Sequence, residues 1–216
     1  MFSEDYIKRL IKVASDAMLE AIGFKTVGRY QEALDVLDQM LEQVVGMKAG
    51  LIHRLDDASL LAALTNEQDE LDLDRLLVVG DLVKAEGDIH AEQGKSQTAY
   101  WSYLRAFNLY LEVVLNMDAQ DVSEPVDKLE ELLPLVQDAD LPAETLFAWY
   151  AYDERVGNYA RGAHVLERMA QIPGLWSEMQ EELRAYYQRL LEKSNSELEN
   201  GGLSKAQVNQ RLVDLR

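Results

Sequence analysis

Three similar turn motifs, spread almost evenly along the chain, constrain its fold more than any other feature. They read Gly28-Arg29-Tyr30-Gln31-Glu32-Ala33, Gly94-Lys95-Ser96-Gln97-Thr98-Ala99 and Gly157-Asn158-Tyr159-Ala160-Arg161-Gly162. In each motif a glycine is followed, five residues later, by a small residue early in an amphipathic helical pattern. Glycine adopts the left-handed backbone that ends a helix, and a small side chain lets a second helix approach closely. The motifs therefore predict three helical hairpins.

Apolar residues recur with a period of 3.6 through most of the chain, and only four prolines and twelve glycines interrupt this pattern. We predict about ten helices, no strand, and a single all-α domain over residues 1–216. A connector is expected at residues 46–50, and Gly201-Gly202 are expected to end a long helix that carries Met179 and Leu191. The expected N-cap residues are Ser3, Asp56 or Asp57, Asp72, Ser96, Ser123 and Ser204, the last with Gln207 in a capping box.

Composition limits the compartment and the class of partner. The chain has no cysteine, which favours a reducing cytoplasm, and it has no apolar run long enough for a membrane span. Its formal charge is −18, from 39 acidic and 21 basic side chains. Repulsion from phosphate disfavours nucleic acid and anionic membranes, so we expect neither as a partner.

The middle motif is the most specific of the three. Gly87 lies in its first helix where close approach needs a small residue, and the second helix carries Ala99, Tyr103 and Ala106. This unit resembles a tetratricopeptide repeat (TPR), and the spacing of the three motifs is near twice that repeat's period of about 34 residues. The resemblance implies TPR-like stacked helical hairpins in an α-α superhelix with irregular repeats.

The whole chain also resembles an uncharacterised bacterial family with TPR-like helices. The segments that carry this resemblance are residues 1–7, Gly80 to Leu111, Leu141 to Leu146 and Ser196 to Leu203. That family has no assigned activity, so the resemblance implies a fold and its extent and leaves the function open.

In TPR proteins the first helices of the hairpins line a concave groove. Transferred residue by residue, this pattern gives a candidate partner groove of Lys84, Asp88, Phe147, Ala151 and Arg155. The subclass that clamps carboxylate termini needs an asparagine where Asp88 stands, and it needs polar residues at Phe147 and Ala151. The clamp is therefore absent, and a basic or amphipathic helical peptide fits the groove better.

Several catalytic and ligand-binding motifs fail on their spacing. Gly94-Lys95-Ser96 lacks the earlier glycine of a P-loop, because Ile89 stands there, and a helix is predicted before it. Glu86 and His90 lie four residues apart and could share a metal ion, but a tight site needs three or four ligands. No serine elbow is present, and there is no cysteine nucleophile. We predict no catalytic residue, no metal and no cofactor.

The aromatic runs leave the nature of the ligand open. We expect Tyr103 and Phe107 in the core, with Tyr150, and some of Tyr100, Trp101, Phe147 and Trp149 against neighbouring helices or a groove. Our leading hypothesis is a non-catalytic scaffold that binds a protein or peptide, and self-association stays open. The alternatives are a regulator that senses a peptide or small molecule, and an unrecognised carboxylate-based hydrolase.

Overall fold

The computed structural model describes residues 4–66, 70–118 and 122–215, and these residues form twelve helices and no strand. The prediction of an all-α protein is confirmed. Contacts divide the chain into two compact units, residues 1–139 and 140–216. The single domain over residues 1–216 stays a prediction. None of the helices in the described residues is both long enough and apolar enough to cross a bilayer.

Seven helices form the described part of the first unit. They are α1 (Glu4–Thr26), α2 (Tyr30–Val45), α3 (Ala49–Ile52), α4 (Asp57–Ala63), α5 (Leu73–Glu92), α6 (Ser96–Asn116) and α7 (Ser123–Val136). The α1–α2 and α5–α6 pairs are hairpins, and α5 packs against both helices of the first pair. Helix α7 then packs on α6. Helix α5 is therefore the centre of this unit, with neighbours on several sides.

Five helices form the second unit, and tyrosines fill much of its core. They are α8 (Ala143–Val156), α9 (Tyr159–Ala170), α10 (Trp176–Leu191), α11 (Asn195–Asn200) and α12 (Lys205–Asp214). Tyr150, Tyr152, Tyr186 and Tyr187 are all buried, and the Tyr186 hydroxyl donates to the Tyr159 carbonyl at 2.8 Å. Because a buried hydroxyl needs a hydrogen-bond partner, this bond fixes how α10 packs against α9.

The three turn motifs have the geometry predicted for them. Gly28, Gly94 and Gly157 have φ values of +76°, +72° and +84°, and each follows the first helix of a hairpin. The small residues five positions later, Ala33, Ala99 and Gly162, are all buried. The hairpin prediction is therefore confirmed at all three places.

The structure confirms three of the predicted N-caps and contradicts two. Asp56, Asp72 and Ser204 cap their helices, and Ser204 forms the expected box with Gln207. The predictions for Ser96 and Ser123 are wrong, because these residues begin helices whose N-caps are Lys95 and Val122. Ser3 lies outside the described residues.

Two other segments differ from the prediction. Residues 46–50 do not form a simple connector, because α3 begins at Ala49. The long C-terminal helix ends at Leu191, and Ser194 starts a separate helix through a capping box with Glu197. A serine followed three residues later by glutamate carries the same local signal as the Ser204 box, so the sequence contains the information for this break.

Candidate functional site

A pocket of about 360 Å³ opens between α1, α5, α6 and α7 in the first unit. Its lining combines apolar side chains with charged ones. The residues that line it are Met18, Ala21, Ile22, Lys25, Asp81, Lys84, Ala85, Asp88, Ile89, Tyr110, Lys128 and Glu131. The volume is at the lower end of the range for ligand pockets, and it suits one or two side chains or a small molecule.

A repeated contact between α5 and α6 builds the polar wall of this pocket. A Cβ on Gly80 would lie 2.5 Å from the Tyr110 ring, and one on Gly87 would lie 2.6 Å from the Tyr103 ring. The glycines are seven residues apart on α5, and the tyrosines are seven apart on α6 in the opposite chain direction. Each glycine therefore leaves room for one tyrosine ring to lie directly on the helix backbone.

Each of these tyrosines holds the aspartate that follows its glycine. The Tyr110 hydroxyl donates to Asp81 Oδ1 at 2.6 Å, and the Tyr103 hydroxyl donates to Asp88 Oδ1 at 3.0 Å. Burial raises the pKa of both phenols, and the neighbouring aspartates raise it further. The phenols therefore stay protonated and act as fixed donors. The two carboxylates are held at the pocket as oriented acceptors.

Two of the lining lysines pair with these aspartates. Lys128 Nζ lies 2.7 Å from both oxygens of Asp81. Lys84 Nζ lies 3.2 Å from Asp88 Oδ2 and 3.0 Å from Glu131 Oε1. Burial lowers the pKa of the Lys84 ammonium, but hydrogen bonds to Glu131 and Asp88 outweigh it and the net pKa is raised. Lys84 is therefore charged at neutral pH and links α5 to α7.

The apolar side of the pocket belongs mainly to α1. Met18 and Ile22 line the pocket on the stripe of α1 that also carries Ile11. Ile22 is 50% exposed and Ile11 is 42% exposed, although helical periodicity alone assigns Ile11 to the core. Large apolar side chains left in solvent along one helix stripe are typical of a surface that contacts something else.

The predicted partner groove is divided between the two units. Lys84 and Asp88 line the pocket in the first unit. Phe147, Ala151 and Arg155 follow each other at a spacing of four on one face of α8 in the second unit, with Phe147 51% exposed and Arg155 exposed. The single groove that joins all five residues stays a prediction.

Of the twelve residues that line the pocket, sequence reasoning predicted only Lys84 and Asp88 as site residues, and Asp81, Tyr110 and Lys128 are among those it missed. These three matter because they form its hydrogen-bonded network. A signal for two of them exists in the sequence. The dipeptide Gly-Asp occurs twice at a spacing of seven on α5, and tyrosine occurs twice at the same spacing on α6. Matching periods on paired helices indicate that two residue types face each other. Lys128 has no such signal, because it lies 47 residues from Asp81.

The other motifs considered in the sequence have ordinary structural positions. Gly94-Lys95-Ser96 forms the turn between α5 and α6 and follows a helix, as predicted. Glu86 lies together with Asp38 and His53, and the His90 Nδ1 atom lies 3.4 Å from the Gln93 side chain. The aromatic residues divide as expected, with Trp149 buried and Trp101 57% exposed.

Comparison with known proteins shows the family of the chain. A family model described as a family of unknown function, DUF6483, matches residues 1–216. No curated protein and no solved structure matches the chain. Since the match covers every residue of the sequence, the chain belongs to the DUF6483 family.

Proposed function

We propose that the protein is a non-catalytic binding module, and that its pocket between α1, α5, α6 and α7 takes a basic amphipathic helical segment of a partner protein. The observation that carries this proposal is the combination of an exposed apolar stripe on α1 with a facing row of held charges on α5 and α7. An amphipathic helix offers the complementary pattern, with apolar anchors on one face and charges beside them.

The apolar half of the pocket supports a peptide anchor. Ile22 and Met18 on α1 face a floor that includes Ala85 and Ile89 of α5. Ile22 is half exposed, so covering it with a partner side chain removes apolar surface from water. The pocket volume of about 360 Å³ accommodates a leucine or phenylalanine anchor.

The charges favour a basic partner. The three lysines in the lining are equalled in number by Asp81, Asp88 and Glu131. Two acids outside the lining, Glu92 and Glu124, pair with Lys25 and Lys128. Glu131 and Glu124 are 64% and 69% exposed, so their carboxylates reach solvent. With a chain charge of −18, the long-range field also attracts a basic segment.

The same contacts support a binding role over proton transfer. Asp81 and Asp88 each accept hydrogen bonds from one lysine and one tyrosine. A hydrolase that works through two carboxylates needs one of them free to give up a proton and the other free to attack or activate water. Carboxylates held in this way suit electrostatic recognition.

Stacked TPR-like hairpins are part of this proposal. Its support is that α5 packs on both α1 and α2, so that one hairpin lies against the next. In a TPR-like stack the first helices face the groove, and α1, α5 and α7 would have that position. The cysteine-free composition favours a cytoplasmic setting.

A titration with designed peptides tests the proposal. The probe is a fluorescent helical peptide of leucine and lysine, and the comparison peptide replaces each lysine with glutamate. We expect fluorescence polarisation to show saturable binding of the basic peptide that weakens as salt rises, and none of the acidic one. Ile22→Lys should weaken binding about tenfold or more, because it places a charge at the apolar anchor.

Leu19→Lys is the matched control, since Leu19 is 67% exposed on the same helix and does not line the pocket. The control adds the same charge, so its binding should stay within about twofold of the original protein. Equal loss in both variants, or no saturable binding of the basic peptide, would contradict the proposal. A small molecule that raises the melting temperature of the original protein but not of Ile22→Lys would favour the alternative function, a regulator that senses a small molecule. Concentration-dependent dimers abolished by Ile22→Lys would identify a second copy as the occupant.

A further inference from the structure

A second polar cluster lies on the other side of α5 and is separate from the pocket. Asp38 of α2, His53 at the end of α3 and Glu86 of α5 meet there. His53 Nε2 lies 2.9 Å from Asp38 Oδ1 and 3.7 Å from Glu86 Oε1. One ligand atom from each of the three residues lies within 4.8 Å of the other two. Three helices therefore bring one imidazole and two carboxylates to a common point.

The segment that carries His53 is held in place from α6. Arg105 Nη1 donates to the Ile52 carbonyl at 3.3 Å, and Arg105 Nη2 donates to the Leu55 carbonyl. The same guanidinium pairs with Asp57 at 3.3 Å. The turn around His53 is thus bonded on both sides of the imidazole, so the ring position is prepared before any ligand arrives.

Glu86 is the unusual member of the cluster. It is 5% exposed, and its Oε1 atom has no hydrogen-bond partner among the residues that the structure describes. Burial raises the pKa of Glu86 to about 7, while His53 lowers it, Asp38 raises it and Arg105 lowers it. A buried carboxylate oxygen without a donor carries a desolvation cost that a ligand would remove.

We propose that Asp38, His53 and Glu86 form a binding site for a divalent transition-metal ion, with Zn²⁺ as the best-fitting ion. Zinc binds imidazole and carboxylate at about 2.0–2.2 Å, so its ligand atoms in a tetrahedron lie about 3.3 Å apart. The distances of 2.9 and 3.7 Å from His53 Nε2 lie on either side of that value. Small side-chain movements bring the three atoms to coordinating positions.

The donor set selects the class of metal. An imidazole ligand favours zinc, copper, nickel or iron, whereas calcium and magnesium prefer oxygen ligands alone. Three protein ligands leave a fourth position for water or a substrate atom. Asp38 and His53 are 42% and 41% exposed, so this position faces solvent while Glu86 binds from the buried side.

A protonated His53 that bridges the two carboxylates is the competing explanation, and a titration of tag-free protein with ZnCl₂ separates the two. Isothermal calorimetry should show one ion bound per chain. Glu86→Gln, His53→Ala and Asp38→Asn should each weaken binding about tenfold or more, since each removes one of three ligands. No saturable zinc binding, or undiminished binding by Glu86→Gln, would overturn the proposal, because the latter marks an adventitious surface site.

Matched controls are available on the same helices. Asp35→Asn changes an exposed carboxylate one turn before Asp38, and His90→Ala removes an imidazole one turn after Glu86. Both controls should bind zinc within about twofold of the original protein. Equal weakening in a control and its partner variant would contradict the site, because it would point to non-specific binding by a chain of this acidity.

A measurement on the unaltered protein covers the case in which a variant does not fold. The chain has three histidines, His53, His90 and His164. Long-range ¹⁵N–¹H NMR spectra of their rings should show that one equivalent of zinc shifts the Nε2 resonance of His53 and leaves His90 and His164 in place. A zinc-induced shift at His90 or His164 with none at His53 would contradict the proposal, and so would three unmoved rings at saturating zinc.

Discussion

The carboxylates on the two sides of helix α5 differ in their hydrogen bonding. Toward the pocket, Asp81 and Asp88 each accept hydrogen bonds from one lysine and one tyrosine. On the other side, Glu86 is almost fully buried, and its Oε1 atom has no hydrogen-bond partner within the described part of the chain. The same residue chemistry on one helix is thus stabilising on one side and costly on the other.

The difference comes from what the neighbouring helices contribute. Helices α6 and α7 place two tyrosines and a lysine against the pocket carboxylates. Helices α2 and α3 place another carboxylate, Asp38, and a single imidazole near Glu86. A network in which every carboxylate is hydrogen-bonded has a fixed shape that a partner can recognise. A buried carboxylate that lacks a hydrogen bond is stabilised when a ligand binds to it. We therefore assign recognition of a peptide to the first side and binding of a metal ion to the second.

The largest expected effect is a pH dependence caused by Glu86 in metal-free protein. Its folded pKa of about 7 lies above the ordinary value of 4.5, with Asp38, His53 and Arg105 as the nearby charges. The folded state therefore binds the extra proton between these values. This contribution is fully present below about pH 4.5 and is lost as the pH rises through 7.

Glu86→Gln cannot lose a proton, so its free energy of unfolding relative to the original protein should rise by about 3 kcal/mol from pH 4.5 to pH 8. Urea titrations in the presence of a chelator at several pH values measure this difference. Glu92→Gln, an exposed carboxylate on the same helix paired with Lys25, should show little of it. A constant difference between Glu86→Gln and the original protein would contradict the assignment of an unsatisfied charge to this side.

The next effect concerns the close contact that holds the pocket side together. Gly80→Ala should destabilise the protein by about 2 kcal/mol, because strain against the buried Tyr110 ring exceeds the gain in helix propensity. Gly23→Ala on α1 should instead stabilise by about 0.5–1 kcal/mol, since a Cβ there meets nothing within 4 Å. Thermal unfolding of both variants measures the two signs. Stabilisation by Gly80→Ala would show that the ring does not lie on the glycine.

Removal of one hydroxyl at a time comes next. Tyr110→Phe should cost about 1.5 kcal/mol, because the bond to Asp81 is short and its acceptor is charged. Tyr103→Phe should cost about 1 kcal/mol, since Asp88 is more exposed. Urea unfolding measures both values. A larger loss of stability in Tyr103→Phe than in Tyr110→Phe would contradict the expectation that the more buried hydrogen bond contributes more.

The smallest effects belong to the lysines. Lys128→Met should cost about 1 kcal/mol, because Asp81 is 21% exposed and bonded through both oxygens. Lys84→Met should cost about 0.5 kcal/mol or less, since Glu131 is 64% exposed and solvent screens the pair. Chemical denaturation at low and high salt checks both values, and salt should reduce the cost of Lys84→Met more. Equal costs at every salt concentration would contradict this difference in burial.

How much of this was predictable from the sequence depends on the distance over which each contact acts. The turn glycines and the caps at Asp56, Asp72 and Ser204 are local, and the sequence predicts them correctly. Ser96 and Ser123 show the limit of the same reasoning. Each is the first residue inside its helix, so the N-cap is the residue before it, and the sequence pattern does not fix a helix start to within one residue.

The two clusters on α5 were predictable only in part. Lys84 and Asp88 follow from the repeat resemblance, and both line the pocket. Asp38 and His53 do not follow from it, because they reach Glu86 only when α2 and α3 pack against α5. The sequence offers only His90, four residues from Glu86, as a second ligand, which is too few for a tight site, and tertiary packing brings His53 to Glu86. Side-chain spacing on one helix says nothing of such contacts between helices.

The most direct test of the account is one pair of nearly isosteric substitutions on the two sides of α5. Asp81→Asn and Glu86→Gln each replace a carboxylate by an amide, and their free energies of unfolding are compared at pH 8 without metal. We predict opposite signs, with Asp81→Asn less stable than the original protein, because Lys128 loses its closest charged partner, and Glu86→Gln more stable, because a buried carboxylate whose Oε1 atom has no hydrogen-bond donor is gone. Changes of the same sign would contradict the account.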